Sequence, residues 1–216
     1  MNPGEAVREA LDELAGRLFG GAAGRARFEP LARAFAERVG RFAADEPWAA
    51  DFVTLRLDWA LLEAPADPTG APWALRVARQ EVPGVPAHLG EAALRAFASV
   101  FEVRPGRRTL ALDRIGGAWG PLGGVVWPAD GHGLYEIRVV ADGGRLYAVR
   151  APQPLPAAAE SLVGALRRAA LATLGRPSLD GLRRGRLRMA QNPRLDPVAV
   201  FVPDGTLEGP YPTVGS

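Results

Sequence analysis

The chain has 216 residues, 26 basic against 24 acidic side chains, a formal net charge of +2 and 48% apolar residues. That length suffices for a buried core, and that apolar content excludes wholesale disorder. Cysteine and lysine are both absent, which rules out disulfides, thiolate nucleophiles, Cys-based metal sites, Schiff-base lysines and a phosphate-loop lysine.

No apolar run approaches the roughly 18–20 residues that span a bilayer. The N-terminal Met1–Ala6 stretch has neither the basic nor the apolar region of a signal peptide, so a cytoplasmic protein without membrane contact is expected. Abundant Ala, Gly, Pro and Arg fit a GC-rich coding bias, the simplest account of the arginine-only basicity. Selection against lysine is the alternative.

In chain order, residues 5–19 form an amphipathic helix with Val7, Leu11, Leu14 and Leu18 on one stripe. A glycine-rich link at 20–24 leads to a second helix over 28–43, and a short link predicts an antiparallel pair. Residues 51–62 alternate apolar and polar at Val53, Leu55, Leu57, Trp59 and Leu61, which predicts a strand. After the turn-rich loop 64–72, Trp73, Leu75 and Val77 alternate in turn, predicting a hairpin. A third helix is expected over 88–101, then a turn at Arg104–Arg107 and a short strand over 109–113.

The best-defined stretch is Gly123–Arg150. Leu134–Val140 and Arg145–Arg150 flank Asp142-Gly143-Gly144, whose glycines accept the positive φ of a tight hairpin turn. Tyr135, Ile137 and Val139 alternate with Glu136 and Arg138, which predicts one buried and one wet face. Gly124–Trp127, stopping at Pro128, reads as a third strand of this meander. Residues 155–174 form a long helix, and Arg186–Ala190 with Val198–Val202 form a closing hairpin. Residues 203–216, rich in Pro and Gly, read as a tail.

Hairpins outnumber strand–helix–strand units, so the expected class is α+β: an antiparallel sheet with the N-terminal helix pair and a long C-terminal helix packed on one side. A single domain over 1–202 is expected, with a subdivision near 87–104 as the variant.

The chemistry-bearing residues are few. Gly116–Gly124 contains Trp119 and Pro121, lacks lysine and runs into a strand, so it reads as a turn-forming loop rather than a phosphate cradle. Asp113, Asp130 and Glu136 are the carboxylates that would serve a metal-dependent hydrolase or nuclease, although Glu136 and Arg138 on one strand are more simply explained as its solvated face. The only imidazoles are His88 and His132, and no serine sits in Gly-x-Ser-x-Gly. No cofactor is implied.

One asymmetry stands out. Between residues 161 and 195 lie Arg167, Arg168, Arg176, Arg183, Arg184, Arg186, Arg188 and Arg194 against Asp180 and the rest of a neutral-to-acidic chain. Arg167, Arg168, Arg183, Arg184, Arg186 and Arg188 would form a face for an acidic protein partner or for sequence-nonspecific DNA or RNA. The competing account is internal balance against acids of the N-terminal helices, within one chain or across a homodimer. Trp119 is the tryptophan expected at the surface, as a partner anchor. The sequence therefore points to a non-catalytic interaction module engaging an acidic partner, with nucleic-acid binding second and metal-dependent hydrolysis third.

Overall fold

A computed structural model describes residues 2–66, 70–128, 130–173 and 176–202. The first helix, α1 (Pro3–Phe19), starts where the chain supplies its own cap: the Asn2 side chain accepts from Gly4 N–H at 2.8 Å, and the Glu5 carboxylate accepts from Asn2 N–H at 3.3 Å. Its predicted stripe of Val7, Leu11, Leu14 and Leu18 is fully buried. The glycine-rich link is not a loop. Helix α2 (Gly21–Arg38) begins directly after Gly20, and a Cβ on Gly24 would lie 2.3 Å from the Phe19 carbonyl carbon. Glycine lets the two helices meet at a one-residue elbow.

Residues 50–62 and 73–78 are helices, α3 (Ala50–Leu62) and α4 (Trp73–Ala78), not strands. The misleading signal has a simple origin: a spacing of four is common to both periodicities, so Leu55/Trp59 and Leu57/Leu61 satisfy either. The residues that are buried, Phe52, Asp58, Trp59, Ala60 and Leu61, include four in a row, so the last turn of α3 is enclosed on all sides and not split into a wet and a dry face as a half-buried strand would be. A short α5 (Ala87–Leu94) ends well before the expected residue 101, because Ala96–Arg104 forms the long strand β1. There Phe101 and Val103 alternate onto one face and Val100 onto the other.

From β1 the chain builds a barrel. Strands β2 (Leu110–Asp113), β3 (Trp119–Gly123), β4 (Gly133–Asp142) and β5 (Arg145–Ala148) join it in the order β1-β2-β3-β5-β4, and β4 closes back onto β1 from Ala96↔Val140 to Val103↔Gly133. All of these pairs are antiparallel except β3–β5, where Leu122 faces Leu146 and Gly123 faces Tyr147. A sixth strand, β6 (Gln153–Leu155), adds to the free half of β4. The fold is mixed α+β as expected, but the sheet is largely a closed five-stranded barrel containing one parallel pairing, not an open antiparallel sheet.

The β4–β5 hairpin turns on Gly143 (φ +54°) and Gly144 (φ +73°), as the sequence predicts. The expected third strand is displaced. Residues 119–123 of the glycine-rich loop form β3, and 124–127 lie outside any strand. Gly120 and Gly123 have no side chain to hold the backbones apart, so β3 can lie close against β5.

Phe101, Val103, Leu122, Ile137, Val139 and Leu146 fill the barrel interior. Helices cover its outside, so the polar face of β4 is buried rather than wet. At the C-terminus, a 3₁₀ turn (Ala157–Ala159) and α6 (Glu160–Thr173) replace the single long helix expected over 155–174. The expected closing hairpin is helical, α7 (Asp180–Gln191) and α8 (Pro197–Val200), with Leu182, Arg183 and Leu187 on the buried face of α7. Residues 203–216, read as a tail, lie outside the described residues.

Helix α1 rests directly on β5, where a Cβ on Gly4 would approach the Ala148 carbonyl oxygen to 2.4 Å. A Gly4→Ala substitution is therefore expected to destabilise the fold by about 1–3 kcal/mol through overpacking, seen as a lower urea midpoint at unchanged slope.

Candidate functional site

On the outer face of β4, two charged residues point away from the barrel into a shell of helices. Glu136 is 4% exposed and Arg138 is 6% exposed. Arg138 donates to Glu63 at 2.6 Å and lies 3.2 Å from Asp58, both on or just after α3. Arg183 of α7, with no exposed surface, donates to Glu136 at 2.8 Å and to Glu63 at 2.7 Å. Arg186 spans the other Glu136 oxygen (3.0 Å) and Gln153 (2.6 Å). Arg150, just past β5, makes a two-pronged contact with Asp58 and reaches Asp12 of α1 at 2.7 Å. Arg38 of α2 contacts Asp180 at 3.4 Å, which completes a neutral set of five arginines and five carboxylates.

The electrostatics follow from that geometry. Burial alone would raise the Glu63 carboxyl, but the Arg183 and Arg138 guanidiniums beside it hold it at about 2. Burial alone would lower Arg183, and Glu136 with Glu63 reverse this, so its guanidinium is held above the ordinary value. Arg186 is lowered, because burial outweighs its contact with Glu136.

The six arginines singled out in the sequence therefore do not share one face. Arg183 and Arg186 belong to the internal network. Arg184 donates twice to the Arg38 carbonyl, at 2.9 and 2.7 Å, and ties α7 to the end of α2. Arg188, also on α7, is half-buried. Only Arg167 and Arg168 of α6 are exposed, next to a Leu171 that is 65% exposed. The acids that balance the buried arginines, Asp12, Asp58 and Glu63, come from the N-terminal helices and lie more than 70 residues away in sequence from their partners.

The carboxylates do not assemble a metal site. Both Glu136 oxygens accept from arginines, and Asp130 is exposed. Asp113 Oδ1 accepts from the Ser99 hydroxyl at 2.6 Å and from the Ile115 and Gly116 N–H groups at 2.9 and 2.8 Å. Among the described residues, no three His, Asp or Glu side chains are grouped to hold an ion. Asp113, Asp130 and Glu136, the carboxylates of the metal-dependent hydrolase reading, are thus not brought together among the described residues. The role of Asp113 is local: it clamps the β2–β3 turn, and the residue that this turn delivers is Trp119.

Trp119 is 74% exposed. Across the hairpin it faces Leu112, and Leu110 faces Pro121, so these four residues line the outer surface of β2–β3. Leu110 and Leu112 are both exposed. Arg107 and Arg108, in the β1–β2 turn at the Leu110 end, are exposed and make no ion pair or hydrogen bond with the described residues. Arg104, by contrast, is held by Glu102 at 2.6 Å. Sequence reasoning found Trp119 and missed its neighbours. The signal was present, since a strand over 109–113 already places Leu110 and Leu112 on the face opposite the buried Ala111 and Asp113.

Two cavities, of about 400 and 410 Å³, flank the ion-pair network. Comparison with protein-family models, curated proteins and solved structures yields no match to this chain.

Breaking the network from one side leaves buried charge without a partner. Arg183→Ala is expected to cost about 3–5 kcal/mol, whereas Arg167→Ala and Arg168→Ala should each stay within about 0.5 kcal/mol, all measured by urea unfolding. Because the folded-state pKa of Glu63 is depressed from 4.5 to about 2, its stabilising contribution is complete above pH 4.5 and is lost as pH falls towards 2. Glu63→Gln should flatten the acid limb of the stability–pH curve over that window.

Proposed function

We propose that this protein is a non-catalytic binding module for an anionic partner, and that the partner is single-stranded nucleic acid held on the outer face of β2–β3. One observation carries the reading. An exposed tryptophan stands in a ribbon of exposed apolar residues beside two arginines that no described residue neutralises. Proteins that hold single strands without sequence preference combine these two elements, aromatic side chains on which bases stack and cations that follow the phosphates.

The architecture supports the same reading. Three hairpin-connected strands with the fourth returning beside the first make a Greek key. Five-stranded Greek-key barrels of the OB type carry oligonucleotide ligands on the β2–β3 face and its adjoining loops. Fold analogy is a weak warrant for function; the side chains on that face are the stronger one. Support for a non-catalytic role comes from the nucleophile inventory, since the buried Ser99 hydroxyl donates to Asp113 and not to a histidine.

A second reading concerns the C-terminal third. Arg167, Arg168 and the 65%-exposed Leu171 share the exposed surface of α6, a combination suited to an acidic segment of a protein partner.

The two readings separate experimentally. Fluorescence anisotropy with a labelled single-stranded oligonucleotide should show binding that weakens with salt. Trp119→Ala should cost about 1–3 kcal/mol, the worth of one stacked base. Arg107→Ala with Arg108→Ala should reduce the log–log salt slope by about 1.4, two phosphates at roughly 0.7 each. Reversing Arg167 and Arg168 to Glu should leave this binding unchanged. Binding that is insensitive to salt and to Trp119→Ala would refute the proposal.

A further inference from the structure

The cavity of about 410 Å³ lies apart from the barrel face, between α3, the start of β1 and the segment that enters α7. Its size falls within the roughly 300–1,000 Å³ range of small-molecule sites. Trp59, Leu62, Phe97 and Leu179 contribute apolar wall. Two polar features of its lining are left incomplete by the protein.

The first is Asp180, 8% exposed. Its Oδ2 faces Arg38 at 3.4 Å, while its buried Oδ1 accepts no hydrogen bond, the Arg183 guanidinium standing off at 3.7 Å. A buried carboxylate oxygen without a donor costs free energy that a bound donor would recover. The second is Arg176. Its guanidinium stacks 3.6 Å from the Phe97 ring centroid and makes no ion pair or hydrogen bond with the described residues. Burial pushes it below its ordinary value, against a smaller opposing pull from Asp113. The first feature is unusual for its residue type, since an aspartate this buried is normally fully hydrogen-bonded. The second places an exposed guanidinium at the cavity, where it can meet an anion arriving from solvent.

A single water would satisfy Asp180 Oδ1, but it would leave most of the cavity unfilled and Arg176 without an anion. One kind of molecule meets all three demands: a flat body for the space beside Trp59 and the Phe97–Arg176 stack, an N–H donor for Asp180 Oδ1, and an anionic group for Arg176 and Arg38 at the rim. We propose that this cavity binds a nucleoside monophosphate, with its base amine donating to Asp180 and its phosphate held by Arg176. The site is independent of the strand-binding face.

The test is isothermal titration calorimetry of the full chain with adenosine monophosphate, with adenosine as the phosphate-free control. Saturable binding is expected, at least tenfold weaker for adenosine and for Arg176→Ala. It should be lost in Leu94→Trp, which fills the cavity from its exposed mouth, and in Asp180→Asn only if circular dichroism shows that variant folded. Trp119→Ala should bind as the wild type does. No saturable heat at millimolar nucleotide would overturn the assignment. So would binding unaffected by both Arg176→Ala and Leu94→Trp, or binding abolished by Trp119→Ala, which would transfer it to the barrel face.

Discussion

The ion pairs around Glu136 and Arg138 are the constraint on which the rest of the structure depends. These two residues occupy the outer face of the longest strand in the barrel, where helices exclude water, so each needs a partner. Their partners come from α3 and α7, and through Asp58 and Arg150 the chain of contacts extends to α1. Net stabilisation from such pairs is small, because desolvation offsets most of the attraction. Their effect lies in the alternatives they penalise. Any packing that slid α3 or α7 along β4 would strand a buried charge, so the network sets how the helices seat on the barrel.

This accounting also redistributes the positive charge. Of the C-terminal arginines, Arg183 and Arg186 are taken inside, where they meet Glu63 and Glu136, while Arg138 and Arg150 meet the acids of α1 and α3. Among the described residues, the cations with no ion pair that also stand beside exposed or part-exposed rings and apolar side chains include Arg107 and Arg108, next to the ribbon of β2–β3, and Arg176 against Phe97. Functional weight therefore moves from the count of charges to the charges the fold leaves unbalanced. Asp113 illustrates the same point. As a carboxylate it invites a catalytic reading, yet its bonds to Ser99, Ile115 and Gly116 make it the clamp of the turn that presents Trp119.

How far the sequence was legible depends on whether the signal was local. The α1 stripe and the Asp142-Gly143-Gly144 hairpin were readable because a repeat of 3.6 and a pair of positive-φ glycines are properties of adjacent residues. Residues 51–62 were misread because apolar residues four apart fit a strand and a helix alike, and 186–190 because the alternation of Leu187 and Met189 with arginines is too short to show a period. What settles such a segment is the surface it packs against. The end of α5 was misplaced for a related reason: Phe97, Val100 and Phe101 have helical spacing, but pairing with β4 recruits them into β1.

The amino-acid sequence by itself determined the mixed α+β composition, the first helix and the β4–β5 turn, the lack of lysine and cysteine chemistry, and the exposure of Trp119. These follow from residue type and near-neighbour spacing. Only the tertiary structure decided that the sheet closes through a parallel β3–β5 pair, that Arg183 lies buried between Glu63 and Glu136, and that Arg107 and Arg108 pair with none of the described residues. The physical reason is that charge pairing and strand closure join residues 20 to 140 positions apart, and no local pattern records which distant partner will meet which.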